Sequence, residues 1–121
     1  MPVPRITKEE LKQRLEGEDA ARPTIIDVRL KYAWEHSTVT LPGTLRMTAD
    51  ALDTAKLPRD RDVVVYDSDP NEVTASRAAV DLIGRGFKAS VLQGGIADWS
   101  GASLPMDTKS APKPAPPPAK A

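Results

Sequence analysis

At 121 residues the chain is long enough for one domain with a modest core, and it leaves no room for a second. Seventeen basic residues balance seventeen acidic ones, so the composition gives no electrostatic reason to expect a nucleic acid or an anionic membrane as a partner. The absence of cysteine and the single histidine, His36, exclude disulfides, thiolate metal ligands, a nucleophilic thiol and the usual multi-histidine metal sites on this chain.

The first half of the chain alternates between helix and strand patterns. A Thr-x-x-Glu capping box at 7–10 predicts a first helix that starts near Lys8. The apolar run at 24–28 predicts a buried strand that ends at Asp27. The segments that follow predict a short helix at 30–36, a loop with a turn at 38–43, a short strand at 44–47 and a short helix at 49–55.

The central feature of the second half is the run of four apolar residues at 63–66, which is typical of a strand buried on both faces in a parallel sheet. Asp69, Pro70 and Glu72 then match the N-cap, N1 and N3 positions of a helix that ends near residue 83. A glycine turn at 84–86, a strand at 88–92, a tight turn at 93–95 and the start of a last helix at 96–99 follow. This alternation predicts a three-layer α/β domain with a mainly parallel sheet.

The end of the chain has a different composition. Five of the twelve prolines follow Ser110, among alanines and lysines. Such a segment cannot bury enough apolar surface to offset the entropy lost on ordering. We therefore predict a folded domain at 4–105 and a flexible tail at 106–121.

Several short motifs follow one another in order along these elements. They are Ile26-Asp27-Val28-Arg29, Leu41-Pro42-Gly43-Thr44, the apolar run at 63–66, Arg77-Ala78-Ala79, Gly86-Phe87, and the segment from Leu92 to Trp99 with Pro105 after it. Together they resemble the rhodanese-like family of single-domain sulfurtransferases. The resemblance covers nearly all of the predicted domain and implies a central, mainly parallel five-stranded sheet flanked by helices.

The resemblance also implies a site from which this chain departs. In active members a cysteine after the central strand carries a persulfide, held by the amide groups of the loop behind it. That position is Asp67 when counted from the strand, or Asp69 when counted back from Arg77-Ala78-Ala79. A carboxylate cannot accept a sulfane sulfur to form a persulfide, and no other thiol is present on the chain, so we expect no sulfur transfer by the chain alone.

The loop after the central strand is the candidate binding site. Loop amides beside a helix N-terminus form an anion site, and we interpret Asp69 as its permanent occupant. As a helix cap it accepts from the amide of Asn71 or Glu72, while Glu72 reaches back. We interpret Asp27 and Arg29 as a structural pair that pins the loop, and the glycines at 94–95 as a turn that requires positive φ or a close approach of the backbone. The candidate loop residues are Asp67, Ser68, Asp69, Asn71, Glu72, Val73 and Thr74, and the crevice neighbours are Asp27, Arg29, Gly94 and Gly95.

Our main functional hypothesis is a catalytically inactive rhodanese-like domain that acts as a binding or regulatory module. Two alternatives stay open: an Asp-x-Asp phosphotransferase or hydrolase that uses Asp67 as its nucleophile with Mg²⁺, and an accessory subunit of a sulfur-transfer system. We expect no resident cofactor or metal, and a monomer that binds an unidentified protein or a small anion. No apolar stretch approaches the roughly 18 residues of a bilayer span, and the amino terminus does not resemble a secretion signal, so we expect a cytoplasmic location.

Overall fold

A computed structural model of the chain describes residues 3–18, 22–69 and 71–108. The elements in chain order are β1 (Arg5–Ile6), α1 (Lys8–Glu16), β2 (Thr24–Asp27), α2 (Lys31–Glu35), β3 (Val39–Thr40), β4 (Leu45–Arg46), a 3₁₀ turn (Thr54–Lys56), β5 (Val63–Tyr66), α3 (Val73–Gly84), β6 (Ala89–Leu92), α4 (Gly95–Gly101) and β7 (Asp107–Thr108). Among the helices of the described residues, none has the length and apolar character that crossing a bilayer requires.

The main sheet has five strands in the order β1-β6-β5-β2-β4, and every neighbouring pair is parallel. The central strand is β5, in which Val65 is in register with Ile26 of β2 and with Val91 of β6. β3 and β7 form a separate antiparallel pair. The predicted fold class, a three-layer α/β domain around a five-stranded parallel sheet, is confirmed.

The two faces of β5 define two halves of the core. Val63 and Val65 pack in the half that contains the buried alanines of α3. Val64 and Tyr66 pack in the other half, which contains buried residues of α1 and α4, including Trp99. All four residues of β5 are fully buried, because helices cover the sheet on both sides.

The predicted start of the first helix is confirmed by its capping box. The Glu10 amide donates to Thr7 Oγ1 at 3.1 Å, and the Thr7 amide donates to Glu10 Oε1 at 2.9 Å. The helix predicted at 49–55 is wrong. An isolated bridge pairs Thr48 with Ala51, and only the 3₁₀ turn follows, because the chain has to bend here to bring Leu52 into the core.

The carboxyl end of the domain lies beyond the predicted boundary at residue 105. β7 pairs with β3 through Val39–Thr108 and Thr40–Asp107, and Asp107 also accepts a hydrogen bond from the Gly43 amide at 2.9 Å. Residues 106–108 therefore belong to the folded domain and not to the tail. The rest of the predicted tail, 109–121, lies outside the described residues.

Candidate functional site

The predicted site residues follow the carboxyl ends of β2, β5 and β6. Since these strands are parallel neighbours, Asp27, Asp67 and Gly94 lie along the same edge of the sheet. This edge is where α/β sheets bind ligands. The loop after β5 lies between the other two.

Asp67 is the most buried residue of this loop, with 1% of its surface exposed. Its Oδ1 accepts a hydrogen bond from the Asp69 amide at 3.1 Å, and its Oδ2 accepts one from the Ala75 amide at 2.8 Å. Ala75 lies in the first turn of α3, so the carboxylate of Asp67 fills the anion position at that helix N-terminus. Burial raises the pKa of Asp67 above its usual value, although these two amide hydrogen bonds act in the opposite direction.

The predicted hydrogen bond from the Asn71 amide to Asp69 is confirmed, but the predicted helix cap at Asp69 is wrong. α3 begins only at Val73, and its N-cap residue is Glu72, whose backbone is left-handed with φ of 58°. Asp69 instead forms a turn, in which its Oδ1 accepts from the Asn71 amide at 2.9 Å. Asp67 already satisfies an amide of the first helical turn, so Asp69 has no such role. Pro70, the predicted N1 residue, lies outside the described residues.

The side chain of Glu72 does not reach back to the loop but joins three parts of the site. Its carboxylate oxygens accept from Arg5 Nε at 2.9 Å and Arg5 Nη2 at 2.7 Å, and Oε2 also accepts from the Gly94 amide at 3.1 Å. Burial acts to raise the pKa of Glu72. The Arg5 and Gly94 hydrogen bonds and the charge of Arg5 outweigh burial and hold that pKa below its usual value.

The two glycines after β6 allow a close backbone contact. Gly94 and Gly95 have φ of 81° and 60°, which confirms the predicted turn with positive φ. A Cβ atom at Gly95 would lie 2.4 Å from the Asp67 carbonyl oxygen. That carbonyl accepts from the Ile96 amide at 3.1 Å, so a side chain at Gly95 would disturb both the turn and the loop.

The predicted structural pair of Asp27 and Arg29 is confirmed. Arg29 Nη2 donates to Asp27 Oδ2 at 2.7 Å and to the Val39 carbonyl at 3.0 Å, and both charged side chains are buried. The Tyr66 hydroxyl also donates to Asp27 Oδ2, at 3.0 Å. These bonds direct the Arg29 guanidinium toward Asp27 and Val39, where it ties the loop after β2 to β3.

The filled loop separates two depressions of the surface. On the β2 side, Arg29 and Thr74 contribute to a cleft of about 210 Å³. On the β6 side, Ser68 and Gly94 line a more open depression. Asn71 on this loop and Val73, the first residue of α3, are exposed. The structure thus brings the predicted residues to one edge of the sheet, but not around one common crevice.

Sequence reasoning missed Arg5 and the hydroxyl of Tyr66. Arg5 lies in a strand of only two residues, and no local pattern indicates that it meets a loop 67 positions later. The sequence predicts Tyr66 in the central strand, but its bond to Asp27 depends on the pairing of these two residues across β2 and β5. Among the described residues, no group of three or more His, Cys, Asp or Glu is placed to hold a metal ion.

The fold and the site define a class of protein: a parallel α/β domain in which the central strand ends at an anion-holding loop beside a helix. The sequence pattern of the rhodanese-like domain matches residues 7–102, and the chain belongs to that family. Its membership confirms the resemblance described above. This member has no cysteine.

Solved structures agree with this assignment. The chain is 30% identical to the Alr3790 protein from Anabaena sp., with 85% of this chain and 82% of that chain covered and a TM-score of 0.70. A full-length protein from Lactobacillus plantarum is 25% identical, with 86% and 87% covered and a TM-score of 0.73. The BH2092 protein from Bacillus halodurans shares the fold at 19% identity, with 88% and 77% covered and a TM-score of 0.75. A search of curated proteins gave no match.

Proposed function

We propose that this chain is a rhodanese-like domain without sulfurtransferase activity, which acts in the cytoplasm as a monomeric binding or regulatory module. The observation that carries the proposal is the carboxylate of Asp67, buried directly after β5 and bonded to the amides of Asp69 and Ala75. The anion position that would hold a thiolate or a substrate in an active member is filled by the chain itself.

The chemistry of the replaced group supports the proposal. Sulfur transfer needs a nucleophile that accepts a sulfane sulfur and releases it to an acceptor, and an aspartate oxygen does neither. The charges near Asp67 act in the same direction, since Asp69 and Glu72 add negative charge beside this position. A second anion would be repelled there.

The inward position of Asp67 also bears on the Asp-x-Asp alternative. A nucleophilic carboxylate has to be reached by the phosphorus atom of its substrate, whereas the Asp67 oxygens lie inside the protein on backbone amides. The geometry therefore favours the structural role of Asp67 over a catalytic one.

A thiosulfate and cyanide assay tests the proposal. We expect the full chain to form thiocyanate only at the rate of the protein-free blank, while a rhodanese with its catalytic cysteine gives rapid turnover in the same buffer. Thiocyanate formation clearly above the blank would refute the proposal. Hydrolysis of an aryl phosphate with Mg²⁺ that is lost in Asp67→Asn would also overturn it, in favour of the phosphotransferase.

A further inference from the structure

Six large apolar side chains of the described residues are exposed; Tyr32 of α2 and Leu45 of β4 are two of them, and the other four lie on α3 or beside it. Val73, Val80 and Ile83 lie on the outer side of α3, opposite the alanines that pack on the sheet. Leu30, just before α2, is 67% exposed, and Val80 is 57% exposed. Protein surfaces rarely leave several large apolar side chains in one region unless the region meets a partner.

The cleft on the β2 side lies between Leu30 and α3. One wall of the 210 Å³ cleft is formed by Leu30 and Lys31, and the other by Thr74 and Arg77 of α3. Arg77 lies one helical turn from both Val73 and Val80, so the cleft opens onto the apolar side of α3. We call this region the α3 surface and define it by six residues, Leu30, Lys31, Val73, Arg77, Val80 and Ile83.

The six residues of the α3 surface include two cations, Lys31 and Arg77, and no acid, while Asp81, which pairs with Arg85, lies one helical turn from Arg77. Lys31 and Arg77 form no ion pair with any described residue, and Asp50 is the one acidic side chain among the described residues that line the cleft. Two cations beside an apolar stripe are complementary to a segment that carries apolar and acidic side chains together.

The chain's own segment 109–121 and a second copy of the chain are both poor matches to the charge of the α3 surface. The remaining chain at 109–121 contains three lysines, no acidic residue and no apolar side chain larger than alanine or proline. A second copy that packed symmetrically through this surface would bring Lys31 and Arg77 against the same cations. An acidic segment of a different protein has neither problem.

We propose that the α3 surface is the docking site for an acidic amphipathic helix of a partner protein. From Val73 to Ile83 the apolar stripe extends about 15 Å along α3, which matches two to three turns of a helix packed beside it. The partner's apolar side chains enter the cleft and cover Val80, while its carboxylates pair with Lys31 and Arg77. This inference rests on the binding role proposed above and names the class of partner.

A designed peptide provides the probe. It has about 16 residues, with leucines at i, i+3, i+4 and i+7 and glutamates beside them, and its control carries lysine in place of each glutamate. The isotope-labelled full chain is titrated with each peptide and followed by NMR. We expect the glutamate peptide alone to shift the signals of Leu30 and α3, with an affinity that weakens as salt is raised.

Matched variants locate the contact. Arg77→Glu and Val80→Glu are expected to weaken binding at least about tenfold, because they reverse a complementary charge and place a charge in the apolar stripe. Arg22→Glu and Leu45→Glu make the same changes at exposed residues that line a different cavity, outside the α3 surface, and are expected to leave binding unchanged. Circular dichroism confirms that each variant is folded.

Several results would overturn this proposal. They are equal binding of the lysine peptide, no binding of the glutamate peptide up to about 1 mM, or affinities that are unchanged by both α3 variants. Self-association that Val80→Glu abolishes would assign the surface to a second copy. Shifted α3 signals after removal of 109–121 would assign it to the chain's own end. The thiocyanate assay is independent, so blank-level turnover without peptide binding rejects only the docking site.

Discussion

At the scale of single residues, two aspartates two positions apart have different environments. Side chains alternate along β5, so Val63 and Val65 point toward α3, and Asp67 continues the same alternation. Its carboxylate therefore reaches the first turn of that helix. Asp69 lies beyond the strand, where the alternation no longer applies, and its carboxylate accepts from the nearby Asn71 amide.

This difference predicts the order of two alanine substitutions. Asp67→Ala leaves the buried Ala75 amide without its acceptor and should lower the free energy of unfolding by about 1 to 3 kcal/mol. Asp69→Ala frees the exposed Asn71 amide, which water can bind, and should lower the free energy of unfolding by about 0.5 kcal/mol. Urea denaturation at neutral pH measures both, with Ser68→Ala as the exposed control. A larger decrease in the free energy of unfolding for Asp69→Ala than for Asp67→Ala would support the helix cap predicted from the sequence.

At the scale of elements, one ion pair joins parts of the fold that are distant in sequence. Arg5 of β1 holds Glu72 at the start of α3, and Glu72 holds the Gly94 amide at the start of α4. Glu72 itself has the left-handed backbone that is uncommon outside glycine. Its side-chain contacts thus stabilise a loop conformation that the local sequence does not favour.

The pH dependence of stability reports on this link. The pKa of Glu72 lies below its usual value in the folded protein, so the stability that it contributes is complete above the unfolded pKa and is lost as the pH falls through the folded one. In Arg5→Ala this pKa returns toward its usual value. We therefore expect the melting temperatures of the wild type and Arg5→Ala to differ most near neutral pH and to converge in acid.

The comparison with Arg5→Ala removes the effect of Asp67. The raised pKa of Asp67 changes stability with pH in the opposite direction. Because Asp67 is present in both proteins, this change cancels when their melting temperatures are compared. Arg85→Ala, which removes a more exposed pair with Asp81, is the matched control and should change the melting temperature less. A gap between wild type and Arg5→Ala that is the same at neutral and acidic pH would contradict the role of Glu72.

Some elements could be predicted from sequence because their signals are local. The capping box at Thr7 and the four β-branched or aromatic residues of β5 specify their own conformations. The start of α3 could not be predicted, because the polar pattern at Asp69 resembles a cap, whereas Asp67, directly after β5, accepts the hydrogen bond from the first turn of the helix. β1 could not be predicted either, because a strand of two residues is too short to show an alternating pattern and forms by pairing with β6.

At the scale of the whole molecule, both ends of the domain pack on one half of the core. Ile6 of β1 and Trp99 of α4 lie in the same apolar cluster, with Met106 packed against it. The Trp99 indole donates to the Pro105 carbonyl at 2.8 Å, and the chain then continues into β7. The composition that marks the predicted tail therefore begins beyond β7, and the apolar contact of Met106 is the signal that compositional reasoning overlooked.

Two truncations locate the end of the folded domain. A chain that ends at Thr108 keeps β7 and should melt within about 2 °C of the full chain, as predicted for a tail that adds nothing to the core. A chain that ends at Pro105 loses Met106, the pairing with β3 and the bond from Asp107 to the Gly43 amide, and should melt about 5 °C lower or more.

Calorimetry measures the melting temperatures of both truncated chains. Asp107→Ala in the full chain shows how much of the decrease comes from the single hydrogen bond to the Gly43 amide. Removal of that one bond should lower the melting temperature by less than removal of the whole segment, because β7 keeps its backbone pairing with β3. Equal melting of the two truncated chains would place the boundary back at residue 105. A large loss on removal of 109–121 would instead make the proline-rich end part of the fold.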